Sequence, residues 1–459
     1  MDSIPSNTMK KLAGLLPKPL YVTGGFVRNR LLELPVTDSD VCSALTTGEV
    51  QTALTGSDFL VRAVYPRMGT MLLEDATDGS QLEYTAFRTE SYAGGGGHTP
   101  CVVRFGCSLE EDALRRDFTV NAIYCDCVSG ELTDPTGGLA DLKSRTIRTV
   151  TAPETVFGSD GLRLLRMVRF CAQLGFSPED LTYRAAVAFR GNLMDISVER
   201  KADEFLKILD ADRKYPALHN ADGHLRGVRM LMETGMMEYV LPELTLGVGM
   251  AQRADFHKYD VAEHSIRAFA LVPPHLRLTA LLHDIGKPAV FLRKGNFHGH
   301  EIEGAEIAYE IALERLKLPK AQCRRIRDLV AWHMYDLNCR TRENKLRVFL
   351  AEHSELLEDL FLLKNADYEA CGFHTGECPT VTRMRSVLQR MREQGAPNSL
   401  KELDLTAADL KQSFPEIPAR HYGLILKKLF ELAVKIPSLN TRETLLKHVK
   451  GIENAIHDA

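Results

Sequence analysis

The sequence predicts an α/β head followed by a long all-α body. Short apolar runs of strand type alternate with helical segments and turns up to about residue 145. From about Phe157 onward, apolar residues recur at helical spacing and strand signals become rare. Pro273-Pro274, Pro319 and Pro397 separate the helical segments of this second part.

The elements of the head follow from local periodicity. Residues 81–88 alternate apolar and polar side chains, the pattern of a strand with one buried face. A flexible loop is expected after Tyr92, where four glycines stand in a row, and a turn is expected at residues 134–138. The predicted strands cover residues 19–23, 36–43, 81–88 and 122–128, and a helix covers residues 26–34.

The body is predicted to consist of helices, with no internal repeat. Their apolar residues recur every three or four positions, which indicates amphipathic helices packed around a core. The predicted helices cover residues 161–175, 199–209, 259–271, 276–284, 301–317, 320–335, 343–350 and 354–371.

Composition narrows the class of protein. The chain has 459 residues and a net charge of −4, from 57 Lys and Arg against 61 Asp and Glu, so a uniformly basic nucleic-acid binder is excluded. No apolar run approaches the roughly 18 residues of a membrane span, and no signal peptide is visible. We therefore expect a cytoplasmic protein with no membrane partner and no obligate protein partner. Its ten cysteines should be reduced thiols.

Two glycines and two aspartates form the first group of candidate functional residues. Gly24-Gly25 lies between a predicted strand and helix, where backbone N–H groups can face a phosphate, and Arg28 follows. Asp38 and Asp40 lie two apart in a predicted strand, so their carboxylates share a face. Such a pair favours Mg²⁺ between its oxygens, although an isolated pair is also typical of a solvated strand face or a helix cap.

The second group is Arg115-Arg116-Asp117 with Asn121. Two adjacent arginines can neutralise a triphosphate, and the short polar side chains suit ribose hydroxyls. The alternative is a solvated run of charges.

The third group begins at Asp160 and Arg163, which are expected to share one face of a helix at i and i+3. Arg166 and Arg169 continue the row, and apolar residues cover the opposite side. A plain amphipathic helix with an ion pair would show the same pattern.

Together these motifs resemble the class II tRNA nucleotidyltransferases, the CCA-adding enzymes and their poly(A) polymerase relatives. The matching stretches occur in the family's order across residues 21–209 and read GGFVRNRLLELPVTDSDV, TAFRTESY, RRDFTVNAI, DPTGGLADL, DGLRLLRMVRFCAQLGF and ERKADEFLKIL. The resemblance implies a polymerase-β-like nucleotidyltransferase head followed by a helical neck, body and tail. It implies Mg²⁺-dependent addition of C and A, from CTP and ATP, to the 3′ end of tRNA.

The resemblance also assigns roles by position. It implies that Asp38 and Asp40 bind the metal, that Gly24, Gly25 and Arg28 face the triphosphate, and that Arg115, Arg116, Asp117 and Asn121 contact ribose and phosphate. Asp160 and Arg163 would read the base, with Arg166 and Arg169 completing the nucleotide-binding set. Glu83 is a weaker candidate for a third carboxylate.

The chain departs from the family pattern at three places. Ser159 stands where Glu is usual, Asn29 where Asp is usual, and the loop after Tyr92 is rich in glycine rather than in charge. These departures leave open whether the chain adds CCA or only part of it. The motifs are also compatible with a poly(A) polymerase, and with a metal phosphohydrolase whose head only binds nucleotide.

A second set of motifs lies between residues 255 and 370. HxxDVxEH, LLHDIGKP, FHGHEIEGA and AWHM follow one another and resemble the HD-domain metal phosphohydrolases. The resemblance implies that a divalent transition metal binds to the set His264, His283, Asp284 and Asp367, with His300 and His333 holding a second metal or a phosphate. The predicted domains are then a head at 1–145, a neck at 146–250, an HD domain at 251–372 and a tail at 373–459.

Local basic stretches are the candidates for contact with tRNA. Positive charge exceeds negative charge within residues 311–350 and 421–450, which suits an RNA backbone. Ordinary solvated helix faces are the alternative.

Overall fold

The structure is a computed structural model that describes residues 4–36, 39–92, 96–97 and 100–457. The chain divides into two units, one of residues 1–245 with 315–317, the other of residues 246–314 with 318–459. No helix among these residues is long and apolar enough to span a membrane.

The first unit is built on a seven-stranded sheet. Its strand order is β3-β4-β5-β2-β1-β8-β9, with β2 and β5 parallel and the other neighbours antiparallel. Strands β6 and β7 pair separately, as do β10 and β11. The strands are β1 (Tyr21–Thr23), β2 (Asp40–Ser43), β3 (Phe59–Tyr65), β4 (Thr70–Asp75), β5 (Gln81–Ala86), β6 (Arg88–Ser91), β7 (Val102–Phe105), β8 (Tyr124–Asp126), β9 (Leu132–Thr133), β10 (Thr146–Ile147) and β11 (Ser177–Pro178).

Thirteen α-helices among the described residues complete the first unit. Helix α7 packs against α9 and α11, because its buried side chains cover most of its circumference. The helices are α1 (Asn7–Leu15), α2 (Gly25–Leu31), α3 (Thr47–Ala53), α4 (Leu109–Leu114), α5 (Gly138–Ser144), α6 (Pro153–Ser159), α7 (Leu162–Leu174), α8 (Asp180–Ala188), α9 (Val198–Leu209), α10 (Ala211–Lys214), α11 (Gly223–Glu233), α12 (Met237–Val240) and α13 (Pro242–Thr245).

In the described residues of the second unit, all regular secondary structure is helical. Helix α14 packs on α15 and α20, and α17 packs on α18. A single apolar cluster extends from α14 to α24. The helices are α14 (Val261–Leu271), α15 (Arg277–Leu282), α16 (Lys287–Lys294), α17 (His300–Glu310), α18 (Lys320–Trp332), α19 (Glu343–Glu352), α20 (Leu357–Ala370), α21 (Pro379–Glu393), α22 (Ala407–Ser413), α23 (Tyr422–Lys435) and α24 (Arg442–His457).

The arrangement of an α/β head followed by helices agrees with the prediction, but three local predictions were wrong. The strand predicted at 36–43 begins only at Asp40 among the described residues. Asp160 is not helical: it has extended backbone (φ −148°, ψ 105°) between α6 and α7. Its carboxylate accepts the N–H of Leu162 at 2.9 Å, so it caps α7 rather than belonging to it. Helix α15 ends at Leu282, and His283 and Asp284 lie on the turn that follows.

Candidate functional site

A cavity of about 860 Å³ in the first unit collects the predicted nucleotide-binding residues. Every described member of that set lines it, although these residues come from segments up to about 145 positions apart. Asp38 lies outside the described residues. The lining includes Gly24, Gly25, Arg28, Asp40, Arg115, Arg116, Asp117, Asn121, Asp160, Arg163, Arg166 and Arg169.

Two carboxylates lie side by side at the sheet. Strands β2 and β5 are parallel, and Asp40 is the register partner of Glu83. Partners in adjacent strands project from the same face of a sheet, so both carboxylates lie on one face. Carboxylate oxygens on one exposed face are the donor set that divalent cations such as Mg²⁺ use, so these residues fit the metal that the family implies.

Arg28 is held by neutral oxygens. Its Nε and Nη2 donate to Asn29 Oδ1 at 3.1 and 2.9 Å, its Nη1 donates to Asn121 Oδ1 at 2.6 Å, and Nη2 reaches the hydroxyl of Tyr215 at 3.3 Å. Burial lowers the pKa of Arg28, although a guanidinium remains charged. Because Asn29 replaces the usual Asp, no carboxylate from residue 29 shares this charge. Asn29 also donates to Tyr215 at 3.2 Å.

Gly24 and Gly25 lie beside the guanidinium groups of Arg116 and Arg28. Gly24 has φ +71°, a conformation that favours glycine. A Cβ at Gly24 would lie 3.8 Å from Arg116 Nη1, and one at Gly25 would lie 3.5 Å from Arg28 Nη2. The N-terminus of α2 therefore faces two guanidinium groups across little space, which suits an anion.

Asp112 organises the two arginines of the second motif, a role that the sequence analysis missed. Its buried carboxylate accepts from Arg115 Nε at 2.7 Å, Arg116 Nη2 at 3.1 Å and the Tyr124 hydroxyl at 2.7 Å. Burial opposes ionisation, but the charges of Arg116 and Arg115 outweigh it and lower the pKa of Asp112 to about 2. In sequence, Asp112 resembles an ordinary acidic residue in the first turn of α4.

The buried Asp117 and the half-buried Arg166 form an ion pair at the cavity wall, with Arg166 Nη2 2.6 Å from Asp117 Oδ2. Asn121 Nδ2 donates to the other oxygen at 3.0 Å. Burial opposes ionisation of Asp117, but Arg166 outweighs it and holds the pKa of that carboxyl well below its usual range. Arg169 lies 2.7 Å from the buried carboxylate of Glu204. Arg166 and Arg169 thus carry their own acidic partners.

The predicted base-reading pair is present but is not a tight ion pair. Arg163 Nε lies 3.7 Å from Asp160 Oδ2, and Arg163 Nη2 donates to the carbonyl oxygen of Arg115 at 2.6 Å. Ser159, in place of the usual Glu, accepts from Arg163 Nη1 at 3.3 Å. Both side chains are more than nine-tenths buried, and both line the cavity.

The segment around Asp160 is bound by the glycine-rich loop. Gly96 N–H donates to Gly158 O at 3.2 Å, and Gly161 N–H donates to Gly96 O at 2.8 Å. Gly96 has φ +80°, and a Cβ there would lie 2.5 Å from Asn192 Cβ. Only glycine therefore satisfies this contact without displacement, which gives one member of the glycine run a structural role. The neighbouring loop residues 93–95 and 98–99 lie outside the described residues.

The six predicted HD residues meet in the second unit. His264 Nε2 lies 3.0 Å from Asp367 Oδ1, 3.2 Å from His283 Nε2 and 3.4 Å from Asp284 Oδ2. The other oxygen of Asp284 lies 3.1 Å from His300 Nε2 and 3.6 Å from His333 Nε2. Asp284 thus contributes one oxygen to each half of the cluster.

Hydrogen bonds to the backbone orient three of these histidines as metal ligands. The Nδ1 atoms of His283, His300 and His333 contact the carbonyl oxygens of Ala280, Phe297 and Val330 at 2.7, 2.8 and 2.6 Å. An Nδ1–H that donates to a carbonyl leaves the Nε2 lone pair free for a metal. His300 Nε2, His333 Nε2 and Asp284 Oδ1 are buried without a hydrogen-bond partner.

Asp284 is held in its ionised form, which is the form that can bind a cation. Lys287 Nζ lies 2.6 Å from Asp284 Oδ2. Burial opposes ionisation of Asp284, but His283 and Lys287 outweigh it and hold the pKa of that carboxyl well below its usual range. The imidazole and carboxylate groups present therefore fit a divalent metal.

The predicted RNA-binding stretches are less basic in the structure than in sequence, because carboxylates pair with many of their cations. Arg325 pairs with Asp359 at 2.6 Å, and Lys447 pairs with Glu443 at 2.7 Å. In the first unit, Arg200, Lys207 and Lys214 line the nucleotide cavity. The sequence analysis did not single out these three residues.

The fold and the site define a nucleotidyltransferase with a polymerase-β-like head, joined to an HD domain. Three family models match: "Poly A polymerase head domain" at residues 20–148, "Probable RNA and SrmB- binding site of polymerase A" at 175–246, and "HD domain" at 261–410. The chain belongs to the tRNA nucleotidyltransferase family. The predicted family, fold class and type of enzyme are confirmed, and both catalytic domains belong to classes that use divalent metals.

Individual relatives differ in what they are named for. The A-adding tRNA nucleotidyltransferase of Deinococcus radiodurans is 35% identical over 341 residues, 71% of this chain and 75% of the relative. The CCA-adding enzyme of Bacillus cereus is 28% identical over 438 residues, 94% of each chain. Among solved structures, the Bacillus stearothermophilus CCA-adding enzyme in complex with CTP matches with a TM-score of 0.63 at 24% identity, covering 97% of this chain and 98% of that one.

Proposed function

We propose that this enzyme adds C and A residues, from CTP and ATP, to the 3′ end of tRNA without a nucleic-acid template. One observation carries the proposal: every described residue predicted for triphosphate, ribose and base contact lines a single cavity. Lys and Arg side chains at its rim suit the phosphates of an RNA 3′ end.

Base selection is assigned to Asp160 and Arg163. A carboxylate accepts from the exocyclic amine of cytosine or adenine, and a guanidinium donates to the adjacent ring nitrogen. Uracil and guanine present the opposite pattern and are rejected. The burial of both residues in the wall of the cavity supports this role, because it places a carboxylate and a guanidinium side by side where a base would enter.

The phosphates are assigned to Arg28, Arg115 and Arg116, and the metal to Asp38 and Asp40, with Glu83 beside Asp40. Mg²⁺ bound there would supply charge neutralisation for the triphosphate and acidify the primer hydroxyl. Because residue 29 is Asn, its side chain does not offset the positive charge of Arg28 next to the triphosphate site.

Full CCA addition is the preferred form of this activity. A relative at 35% identity is named as A-adding, so A addition alone has a specific observation behind it as the second candidate. The test is primer extension on two tRNAs, one lacking CCA and one ending in CC, with each NTP alone and with CTP plus ATP. Extension of the first tRNA by C, C and A supports the proposal. Extension of only the second, by one A, establishes the A-adding activity instead, and a long A tail establishes a poly(A) polymerase.

A second activity is proposed for the HD cluster: hydrolysis of a phosphoester, including 2′,3′-cyclic phosphates, with divalent transition metals as cofactor. Two features support it: the two Asp284 oxygens face different histidines, and the Nδ1 atoms of His300 and His333 contact backbone carbonyls, so that their Nε2 atoms face Asp284. The test is hydrolysis of 2′,3′-cyclic AMP by the metal-stripped full chain after addition of Mn²⁺, Co²⁺ or Ni²⁺. If none of the three metals restores hydrolysis to the metal-stripped chain, the proposal is contradicted.

A further inference from the structure

A third group of metal-ligating side chains lies beside the HD cluster and is not part of its predicted ligand set. It consists of His257, His264 and Cys371, each of which offers one ligand atom within 4.8 Å of the others. His257 precedes α14, His264 lies on α14, and Cys371 follows the last residue of α20. His257 and Cys371 are therefore not used by the hydrolysis proposed for the HD cluster.

The distance between the ligand atoms of His257 and Cys371 fits a bound metal. His257 Nδ1 lies 3.5 Å from Cys371 Sγ. Tetrahedral zinc holds nitrogen at about 2.1 Å and sulfur at about 2.3 Å, which places these two ligand atoms about 3.6 Å apart. The pair would need little movement to bind one ion.

His264 supplies an independent observation. Its Nε2 faces the HD cluster through Asp367 and His283, whereas its Nδ1 is buried without a hydrogen-bond partner. The imidazole of His257 packs edge-on against that of His264, with ring centroids 4.8 Å apart. A buried imidazole nitrogen with no partner is costly unless it binds something, and a metal held by His257 and Cys371 would satisfy it.

The backbone holds this group together. Lys258 N–H donates to Cys371 O at 2.9 Å, which ties the segment of His257 to the end of α20. Gly372 has φ +83°, and a Cβ there would lie 2.6 Å from Tyr259 Cε2. The close approach of the two segments thus requires glycine after Cys371, and it keeps the thiol beside His257.

We propose that His257, His264 and Cys371 form a zinc-type site adjoining the HD cluster. Two imidazoles and one thiolate are the nitrogen and sulfur donors that Zn²⁺ prefers, with water for the fourth position. On binding, the S–H bond of Cys371 breaks, the sulfur keeps the electron pair as a thiolate ligand, and the proton leaves to solvent. His264 would bind this ion through its Nδ1 lone pair, while its Nε2 faces Asp367 and His283; a metal at Nε2 as well would require the ring N–H proton to leave to solvent.

The test uses the full metal-free chain and Co²⁺ as a spectroscopic probe. We expect a near-ultraviolet thiolate-to-cobalt charge-transfer band in the wild type and its loss in Cys371→Ser. In His257→Gln, the Co²⁺ affinity measured from the absorbance of this band should fall by at least about tenfold. The matched control Cys323→Ser, which alters another buried thiol of this unit, should keep the band. His300→Ala, which removes only an HD ligand, should keep it as well, so failure of the HD proposal is distinguishable.

A second measurement needs no variant. X-ray absorption of the wild type saturated with Zn²⁺, so that the HD cluster is filled as well, should show a sulfur ligand at about 2.3 Å. No thiolate band at saturating Co²⁺, a band that survives Cys371→Ser, or zinc bound only by nitrogen and oxygen would each overturn the proposal and leave Cys371 as a hydrogen-bonded thiol.

Discussion

Arg163 donates a hydrogen bond of 2.6 Å from Nη2 to the carbonyl oxygen of Arg115. The arginine proposed to read the base is therefore held by the backbone of the motif proposed to bind the phosphates. Arg115 in turn donates through its own side chain to Asp112. Base reading and phosphate binding thus share one hydrogen-bonded framework, and the predictions below separate its parts.

Asp40→Ala should abolish nucleotide incorporation and leave the HD hydrolysis unchanged. Loss of a metal ligand removes several kcal/mol of transition-state stabilisation, which is more than about a hundredfold in rate. The measurement is steady-state incorporation on tRNA lacking CCA, alongside hydrolysis of 2′,3′-cyclic AMP. Glu131→Gln, an exposed acid in the same unit, is the control. Incorporation above a few per cent of the wild type would remove Asp40 from the metal site.

Asp112→Asn should destabilise the folded protein in a pH-dependent way. The folded pKa of about 2 lies below the ordinary value of 3.8, so the carboxylate stabilises the fold above about pH 4 and loses this effect as the pH falls through 2. The difference corresponds to about 2 kcal/mol. Urea unfolding from pH 7 to pH 2.5 should therefore show the gap between wild type and variant narrowing below pH 4. A gap that is constant with pH, or an equal effect of the exposed Asp58→Asn, would contradict this account.

Tyr215→Phe should raise the KM for CTP and ATP by a similar factor and leave kcat nearly unchanged. The hydroxyl contacts both Arg28 and Asn29, and its loss costs about 1 kcal/mol, or about fivefold in binding. Because the contact lies on the phosphate side, both nucleotides should be affected alike. Initial rates over a range of each NTP measure this, with Tyr183→Phe as the control. A change confined to one of the two NTPs would assign Tyr215 to the base instead.

Asp284→Ala should remove HD hydrolysis and leave incorporation intact. Its two oxygens face both halves of the HD cluster, so the variant should lose both metals of that cluster, whereas His333→Ala should lose one. Metal content per chain after dialysis measures the difference, and the exposed His298→Ala serves as the control. Equal metal loss in Asp284→Ala and His333→Ala would show that Asp284 does not bridge two ions.

Most of the candidate site could be predicted because its residues lie in short, local motifs. Each motif places its functional side chains within a few positions of one another, and the folded chain brings the motifs to one cavity. The motifs are Gly24-Gly25 with Arg28, and the residues from Arg115 to Asn121. The predicted bounds of the helices in the body were also close to the observed ones, because amphipathic periodicity persists over several turns.

What could not be predicted depends on contacts between distant segments. Tyr215 meets Arg28 across 187 positions, and no local pattern indicates this. Strand β3 was missed because its burial does not alternate. Asp160 was placed in a helix because Gly161 and the following apolar residues continue the helical pattern, whereas capping of Leu162 holds Asp160 in extended backbone. The four-domain division, with boundaries at 145, 250 and 372, stays a prediction.

The most direct test of the central claim is kcat/KM for all four NTPs in the wild type, Asp160→Ala, Arg163→Ala and the double variant. If this pair reads the base, each single change should lower kcat/KM for CTP and ATP by about 1–3 kcal/mol, roughly 5- to 150-fold, and that for UTP and GTP by much less. Because each group needs the other against one base edge, the double variant should be little worse than either single variant. Equal slowing with every NTP, with the wild-type preference retained, would contradict the claim and make the pair purely structural.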